Sequence, residues 1–176
     1  SLEKPELRPY RTLRRPADHR REGLFIAEGA KVVERLIRSE LAMVSALMTQ
    51  RWHEELLAAH PRLHDRIPEI YLAGKALVES IVGFPLHQGI MAVGCVPAER
   101  TIEEVIANKS SPLLLVALDG LVNAENVGMA VRNCAAFGVD AILSGETSSS
   151  PYLRRAVRNS MGTVFSLPIL HPSGLA

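Results

Sequence analysis

The residues best placed to do chemistry in this sequence follow an apolar run that ends in Asp119. They are Asn126, Gly128 and Arg132, which fall around a predicted helix start. Backbone amides at such a start can hold an oxygen anion or a phosphate, and an arginine adds a forked donor for the same groups. Gly128 has no side chain, so a ligand backbone could come close to it. The pattern indicates an anion site, although a capped helix with an exposed arginine fits the same residues.

The elements that must position these residues alternate between strand and helix. The run at 113–120 is typical of a parallel strand that is buried on both faces. Ser150 and Pro151 predict the cap and the first position of a later helix. A parallel sheet with this β-α-β-α-β order binds ligands beyond the carboxyl ends of its strands. The predicted strands are 113–120, 139–145 and 163–170, and the predicted helices are 126–138 and 148–162.

The preceding part of the chain shows the same alternation on a smaller scale. Short apolar runs alternate with segments of helical spacing, and Gly83 predicts the end of one helix. This pattern favours a compact α/β domain over residues 23–97. Trp52 and Tyr71 are interpreted as packing residues rather than as surfaces on which a base stacks. The strands are expected at 24–28, 43–49, 69–74 and 89–96, and the helices at 30–40, 51–60 and 75–83.

Two segments flank this first domain. Residues 1–22 are rich in arginine and proline without periodicity, so they predict an extended basic arm that includes Arg14 and Arg15. Residues 98–112 predict a linker that contains a short amphipathic helix. The second domain is then expected over 113–176.

The basic residues are clustered even though the formal net charge is only +1. One cluster is the arm, and the second consists of Arg154, Arg155 and Arg158. Arg154 and Arg158 are four residues apart and therefore share a helix face. Basic patches attract phosphates. Both clusters are candidate phosphate contacts, and a solvated surface remains the alternative for each.

Several function classes are disfavoured by the composition. Cys95 and Cys134 form no closely spaced pair, which disfavours a disulfide framework or a zinc site. His60 and His64 have a metal-binding spacing, but Pro61 interrupts the helix that would carry them. The sequence has no apolar run of about 18 residues and no apolar signal-peptide core. A cytoplasmic protein without a membrane partner or a metal is expected.

A longer match relates the first pattern to a family. The stretch DGLVNAENVGMAVRNCAAFGVDAIL resembles the first signature of SpoU-type (TrmH-like) RNA methyltransferases of the SPOUT superfamily, with Asn126, Gly128 and Arg132 on its core positions. RNSMGTVFSLPI is similar to a later segment of that family. IAEGAKVVERLI resembles more loosely the small RNA-binding domain that precedes many of these enzymes. Three residues depart from the family pattern, because the family often has Asp-Pro where this sequence has Asn123-Ala124 and Thr or Ser where it has Asn133.

The resemblance implies an S-adenosylmethionine-dependent enzyme that methylates a ribose 2′-hydroxyl in tRNA or rRNA and acts as a homodimer. Its fold would be α/β, with the small RNA-binding domain followed by the first half of a doubly wound parallel sheet. The family's later segments, which shape a C-terminal knot and the cofactor pocket, are not found before Ala176, so the cofactor-binding residues are expected beyond it. The expected RNA-binding residues are Gly128, Arg154, Arg155, Arg158, Arg14 and Arg15.

The resemblance also makes Asn126 and Arg132 the catalytic candidates. In the family account the arginine activates the 2′-hydroxyl and the asparagine positions it. A guanidinium has a pKa above about 12 and does not normally accept a proton. We therefore favour a role for Arg132 as a phosphate clamp that stabilises developing negative charge on the oxygen. Two alternatives remain, namely an RNA-binding module without methyltransferase activity and a small-molecule-binding α/β protein with no RNA role.

Overall fold

The chain divides into two compact units, 1–96 and 97–176. The computed structural model describes residues 4–85, 88–107 and 112–172. Within those ranges, no helix has the length and apolar character that a bilayer crossing requires. Among the same residues, no group of three or more histidine, cysteine or acidic side chains is arranged to hold a metal ion.

The first unit is built on a four-stranded mixed sheet. All four predicted strands are confirmed, with ends that differ by no more than two residues from the expected ones. The strands are Leu24–Glu28 (β1), Met43–Met48 (β2), Glu69–Leu72 (β3) and Ile90–Cys95 (β4). Their order in the sheet is β1-β4-β2-β3. Strand β4 pairs antiparallel with both neighbours, whereas β2 and β3 run parallel, so the carboxyl ends of β2 and β3 meet at one edge.

The helices of the first unit cover this sheet. The three predicted helices are confirmed, and Gly83 ends one of them in the left-handed conformation at φ 77°. That conformation suits glycine, which has no Cβ to clash. The short helix at 63–66 was not predicted. The helices are Arg8–Arg11 (α1), Pro16–Arg21 (α2), Ala30–Arg38 (α3), Gln50–Ala59 (α4), Leu63–Arg66 (α5) and Lys75–Val82 (α6).

The prediction of an extended arm over 1–22 is wrong for the residues that the structure describes. Leu7, Tyr10 and Leu13 are buried in the core of the first unit, where they pack with residues of β1, β2, β4 and α6. The Tyr10 hydroxyl lies 2.8 Å from Ser45 Oγ on β2. The apolar residues recur every third position between arginines and prolines. This spacing gives α1 and the turn after it one apolar side, which the polar composition of the segment obscured.

The second unit contains a three-stranded parallel sheet. The predicted β-α-β-α-β alternation is confirmed, and the strands are ordered β5-β6-β7. Its strands are Leu115–Leu118 (β5), Ala141–Ser144 (β6) and Ile169–Leu170 (β7). Its helices are Ile102–Ile106 (α7), Ala124–Ala136 (α8) and Arg154–Asn159 (α9). Since β5 and β6 are parallel and in register from Leu115↔Ala141 to Leu118↔Ser144, the loops that follow them leave the same sheet edge.

Three predicted boundaries in the second unit are corrected. The expected linker at 98–112 contains α7, whose Val105 packs in a buried cluster with Ala141 and Leu170, so this helix belongs to the second unit. The helix expected over 148–162 is only α9, because Ser150 and Pro151 lie in a turn before it. The third strand is confined to β7, since a 3-10 turn occupies Thr163–Phe165.

Candidate active site

The candidate site begins where the loops after β5 and β6 run side by side. The Gly145 amide donates to the Leu118 carbonyl at 2.9 Å, and the Ser149 amide donates to the Leu121 carbonyl at 3.0 Å. These bonds extend the strand pairing beyond the sheet. The loop that carries Asp119 is thereby held against its neighbour.

Three hydroxyl side chains, which we call the hydroxyl cluster (Thr147, Ser148 and Ser149), complete this contact. Thr147 Oγ1 donates to Asp119 Oδ1 at 3.1 Å and accepts the Gly120 amide at 3.2 Å. Sequence reasoning did not assign these three residues. The only signal for them was a run of hydroxyl residues directly after a predicted strand.

The serines of the hydroxyl cluster bind the backbone of the loop that follows β5. Ser148 Oγ donates to the Leu118 carbonyl at 2.9 Å and accepts the Leu121 amide at 3.1 Å. Ser149 Oγ donates to the Val122 carbonyl at 2.6 Å. The hydroxyl cluster therefore satisfies the polar backbone groups of the first loop and fixes its path.

Helix α8 starts two residues earlier than predicted. Asn123 is its N-cap, and Asn123 Oδ1 accepts the amides of Glu125 at 2.8 Å and of Asn126 at 3.2 Å. The Val127 amide donates to the Asn123 carbonyl at 3.0 Å. The prediction that the amides around Asn126 form an anion site is wrong, because the cap and the first helical turn already bind them.

The prediction of a ligand contact at Gly128 is also wrong. Gly128 is buried, and a Cβ placed there would overlap the carbonyl oxygen of Ala156 and lie 2.8 Å from Asn159 Cβ. The glycine thus allows the backbone of α8 to approach α9. Helix α9 occupies the space beside Gly128 that the sequence analysis assigned to RNA.

The two catalytic candidates lie on the exposed side of α8. Asn126 and Arg132 are both exposed, and the Arg132 side chain forms no hydrogen bond or ion pair with any residue that the structure describes. Six residues correspond to about 600° around a helix, which leaves the two positions about 120° apart. The long arginine side chain can still extend along the helix surface toward its start. The structure therefore keeps the Arg132 guanidinium in solvent.

The predicted arginine cluster of the second unit is present on α9. Arg155 and Arg158 are exposed, and Arg154 is half-buried. Arg155 Nη1 lies 3.9 Å from Glu125 Oε1 at the start of α8, so this pair links the two helices. An exposed pair of this kind contributes little to stability. Arg155 is held near the α8 start without being buried.

The other predicted RNA contacts lie in the first unit. Arg14 and Arg15 are exposed and occupy the turn between α1 and α2. They belong to a folded segment and not to an arm. Neither side chain forms a hydrogen bond or ion pair with a residue that the structure describes.

Burial sets the protonation of two groups close to α8 and α9. It raises the pKa of the Tyr152 phenol far above its ordinary value and raises that of the Cys134 thiol. Both groups therefore stay protonated at neutral pH. This disfavours either one as a nucleophile or a base.

Residues 113–175 match the family model of the SpoU rRNA Methylase family. This part of the chain belongs to the SpoU family. The motif that contains Asn126 and Arg132 lies inside the matched range. The SpoU pattern often has Asp-Pro where this chain has Asn123-Ala124. Both pairs supply an N-cap residue and a first helical residue, so this departure changes the start of α8 little.

Relatives of the SpoU segment extend the likeness to most of the chain. A Mycobacterium tuberculosis protein named as an uncharacterized tRNA/rRNA methyltransferase is 32% identical over 168 residues, which cover 93% of this chain and 56% of that protein. A 23S rRNA (guanosine-2′-O-)-methyltransferase of Vibrio vulnificus is 33% identical over 94 residues, or 51% of this chain and 37% of that protein. The chain thus spans little more than half the length of the mycobacterial relative.

A solved structure shares the fold of this chain. It is the AdoMet-bound rRNA methyltransferase of Sinorhizobium meliloti, with a TM-score of 0.78 at 20% identity over 97% of this chain and 62% of that protein. The expected α/β fold with its parallel sheet is confirmed by this likeness.

Proposed function

We propose that this chain is part of an enzyme that transfers a methyl group from S-adenosylmethionine to a ribose 2′-hydroxyl of tRNA or rRNA. The observation that carries the proposal is the SpoU match over 113–175, within which Asn126 and Arg132 both stand exposed on α8. The Vibrio relative, by its name, methylates a guanosine 2′-oxygen. The 2′-hydroxyl is also the group that separates RNA from DNA.

The proposed role of Arg132 is electrostatic. Its guanidinium remains charged at any ordinary pH and offers a planar fork of donors, which suits a phosphate oxygen or an oxygen that is gaining negative charge. An exposed arginine with no ion-pair partner among the described residues is available for such a ligand. Asn126, which stands one turn after the cap, would orient the ribose through its side-chain amide.

The basic face of α9 is proposed to bind the RNA backbone beside this pair. Arg155 and Arg158 project from a short helix whose backbone is packed against α8 through Gly128 and Ala156. Each lysine or arginine that neutralises a phosphate releases counterions, so binding through these residues should weaken as salt increases.

The described residues fit S-adenosylmethionine only as one wall of its site. The hydroxyl cluster and Asn123 bond the backbone of their own loops, so these side chains do not offer a free set of donors and acceptors. When bound, the cofactor would supply an electrophilic methyl group. The residues described here would hold the RNA against it, and no further step is assigned to them.

A homodimer is proposed as the working form. Met129 on α8 and Phe137, the residue that caps its C-terminus, are large apolar side chains exposed at 50% and 80% of their full surface. Exposed apolar residues that cluster on one element favour a protein contact. Sedimentation should show a dimer that Phe137→Glu dissociates, and a monomer at all concentrations would contradict this part of the proposal.

A methyl-transfer assay tests the enzyme. The complete protein is incubated with labelled S-adenosylmethionine and total tRNA or rRNA, and the RNA is then hydrolysed in alkali. A 2′-O-methyl group blocks attack by that oxygen on the next phosphate, so label should be recovered in an alkali-resistant dinucleotide. Label in mononucleotides would indicate methylation of a base and contradict the ribose assignment.

The same assay separates the second candidate function, an RNA-binding module without turnover. That candidate is favoured by the self-bonded hydroxyl cluster, which leaves few groups for a cofactor. RNA bound on a filter with no label transferred by the complete protein would support the module over the enzyme.

A further inference from the structure

A cavity of about 340 Å³ lies in the first unit, and none of the candidate catalytic or RNA-binding residues lines it. It falls in the size range of small-ligand sites. Helices α4 and α6 begin beside it, directly after the parallel strands β2 and β3, and ligands commonly bind at such a strand edge. Its lining residues are Thr49, Arg51, Trp52, Lys75, Gln88 and Gly89.

The aromatic wall of this cavity is fixed in place. Trp52 is half-buried, and its indole N–H donates to the Gln88 carbonyl. Gln88 is itself anchored, because its side-chain Oε1 accepts the Ala30 amide at 2.7 Å at the start of α3. The expectation that Trp52 only packs is therefore incomplete, since a rigid indole borders an open space. A ring held in this way offers a stacking surface at little entropic cost.

Two cations, Arg51 and Lys75, line the cavity together with the indole. The Arg51 guanidinium carbon lies 5.7 Å from the centroid of the Trp52 ring. Arg51 bonds Glu55 through Nε at 2.7 Å, and this leaves its two terminal nitrogens available. Lys75 Nζ lies 3.9 Å from Glu79 Oε1. Each pair is an exposed contact between two residues of the same helix, Arg51 and Glu55 in α4 and Lys75 and Glu79 in α6. Such pairs contribute little to stability, so a ligand anion can replace the carboxylate.

The floor of the cavity leaves little room for a side chain. Gly89 is buried with φ 66°, and a Cβ there would lie 3.0 Å from the Thr49 methyl group. Its carbonyl accepts the Thr49 amide at 3.1 Å, an ordinary length for a backbone hydrogen bond. The floor is therefore rigid backbone, and the side chains that could bind a ligand are the indole and the two cations.

We infer that this cavity binds an unpaired nucleotide of an RNA strand, with its base against Trp52 and its phosphate between Arg51 and Lys75. A nucleotide joins a flat ring to an anion and so uses all three side chains. A purely anionic ligand would leave the indole unused, and a purely apolar one would desolvate both cations. The inference rests on the proposed function for the presence of RNA, but it uses residues of the other unit.

The fluorescence of Trp52 tests this directly, because it is the single tryptophan of the protein. The 176-residue chain is titrated with a short single-stranded oligoadenylate and, separately, with AMP. Stacking of a base on the indole should quench the emission to saturation with the oligonucleotide, and AMP should bind much more weakly. If AMP binds as tightly, the cavity is a free-nucleotide site and the assignment to an RNA strand is overturned.

Variants measured by filter binding supply a second readout. Trp52→Ala should weaken oligoadenylate binding roughly tenfold, the effect of losing one base–aromatic stack. Lys75→Glu should weaken it further and flatten its salt dependence. Arg62→Ala is the matched control, since Arg62 is 87% exposed, pairs with Asp65 and lies outside the cavity lining. Because Lys75 is exposed on its helix, that variant stays informative even if Trp52→Ala fails to fold.

The outcomes separate this inference from the proposed function. RNA that is retained on a filter without quenching Trp52, and equally by Lys75→Glu and the parent, overturns the cavity assignment and leaves the enzyme standing. Quenching with no methyl transfer by the complete protein supports the cavity and contradicts the enzyme.

Discussion

Each unit brings two neighbouring parallel strands to one sheet edge, and the two edges use their polar groups differently. In the first unit, β2 and β3 end beside a cavity with an indole and two cations. In the second, the loops after β5 and β6 bond each other through the hydroxyl cluster. The second edge therefore serves as a scaffold, and the candidate catalytic side chains lie on α8 beyond the loop. Placement at a strand edge does not by itself make an open site.

The close approach of α8 and α9 gives the largest stability effect that we expect. Gly128→Ala gains about 1 kcal/mol of helix propensity, but its methyl group would collide with backbone at Ala156, which no side-chain rotation relieves. We expect a net loss of about 2 kcal/mol in the free energy of unfolding, measured by urea denaturation with circular dichroism. Gly74→Ala in the first unit is the matched control, because a Cβ there meets nothing within 4 Å. Equal stability of the two variants would contradict the packing role of Gly128.

Removing the N-cap side chains of α8 and α4 should give a smaller difference in stability. Asn123 binds two amides at the start of α8, whereas Thr49 forms no side-chain cap bond at the start of α4. Asn123→Ala should therefore cost about 1 kcal/mol, and Thr49→Ala should cost less. Urea denaturation of both variants measures this. A greater loss from Thr49→Ala would show that the amides near Asn126 are not held as described.

A pH effect confined to the first unit is the smallest that we expect. Burial lowers the pKa of His19, which is 7% exposed. A histidine whose pKa is lowered by folding contributes stability that is full above the ordinary value of about 6.5 and is lost as pH falls through it toward the lowered value. The urea midpoint followed by Trp52 fluorescence should drop between about pH 7.5 and pH 5.5. His19→Gln should show a smaller drop, and an identical drop would exclude His19 as the cause.

The strands and most helices could be predicted because their apolar spacing is local. The four strands of the first unit follow from short apolar runs, and α6 follows from its spacing and from Gly83. The folding of 4–22 was missed because Leu7, Tyr10 and Leu13 are separated by arginines and prolines, and only their contact with a distant strand shows their role. A residue such as Ser45 cannot be inferred as the partner of Tyr10 from local sequence.

The candidate site was predicted less completely than the fold. The types and spacing of Asn126 and Arg132 indicated only an anion site, and the family resemblance made them catalytic candidates. The structure leaves both exposed. The predicted role of Gly128 was wrong, because the sequence does not distinguish a glycine that lets a ligand approach from one that lets a second helix pack closely. The hydroxyl cluster was missed because its function depends on contacts between two loops whose bonded residues are 27 to 30 positions apart in the sequence.

The measurement that tests the central claim most directly is the rate of methyl transfer by the complete protein carrying Arg132→Ala. The account predicts a fall of roughly 100-fold or more, with partial recovery in Arg132→Lys, because lysine keeps the charge but loses the fork. Arg100→Ala, an exposed arginine of the same unit, should leave the rate unchanged. Turnover by Arg132→Ala equal to that of the parent protein would contradict the claim that α8 presents the residue that stabilises the reacting oxygen.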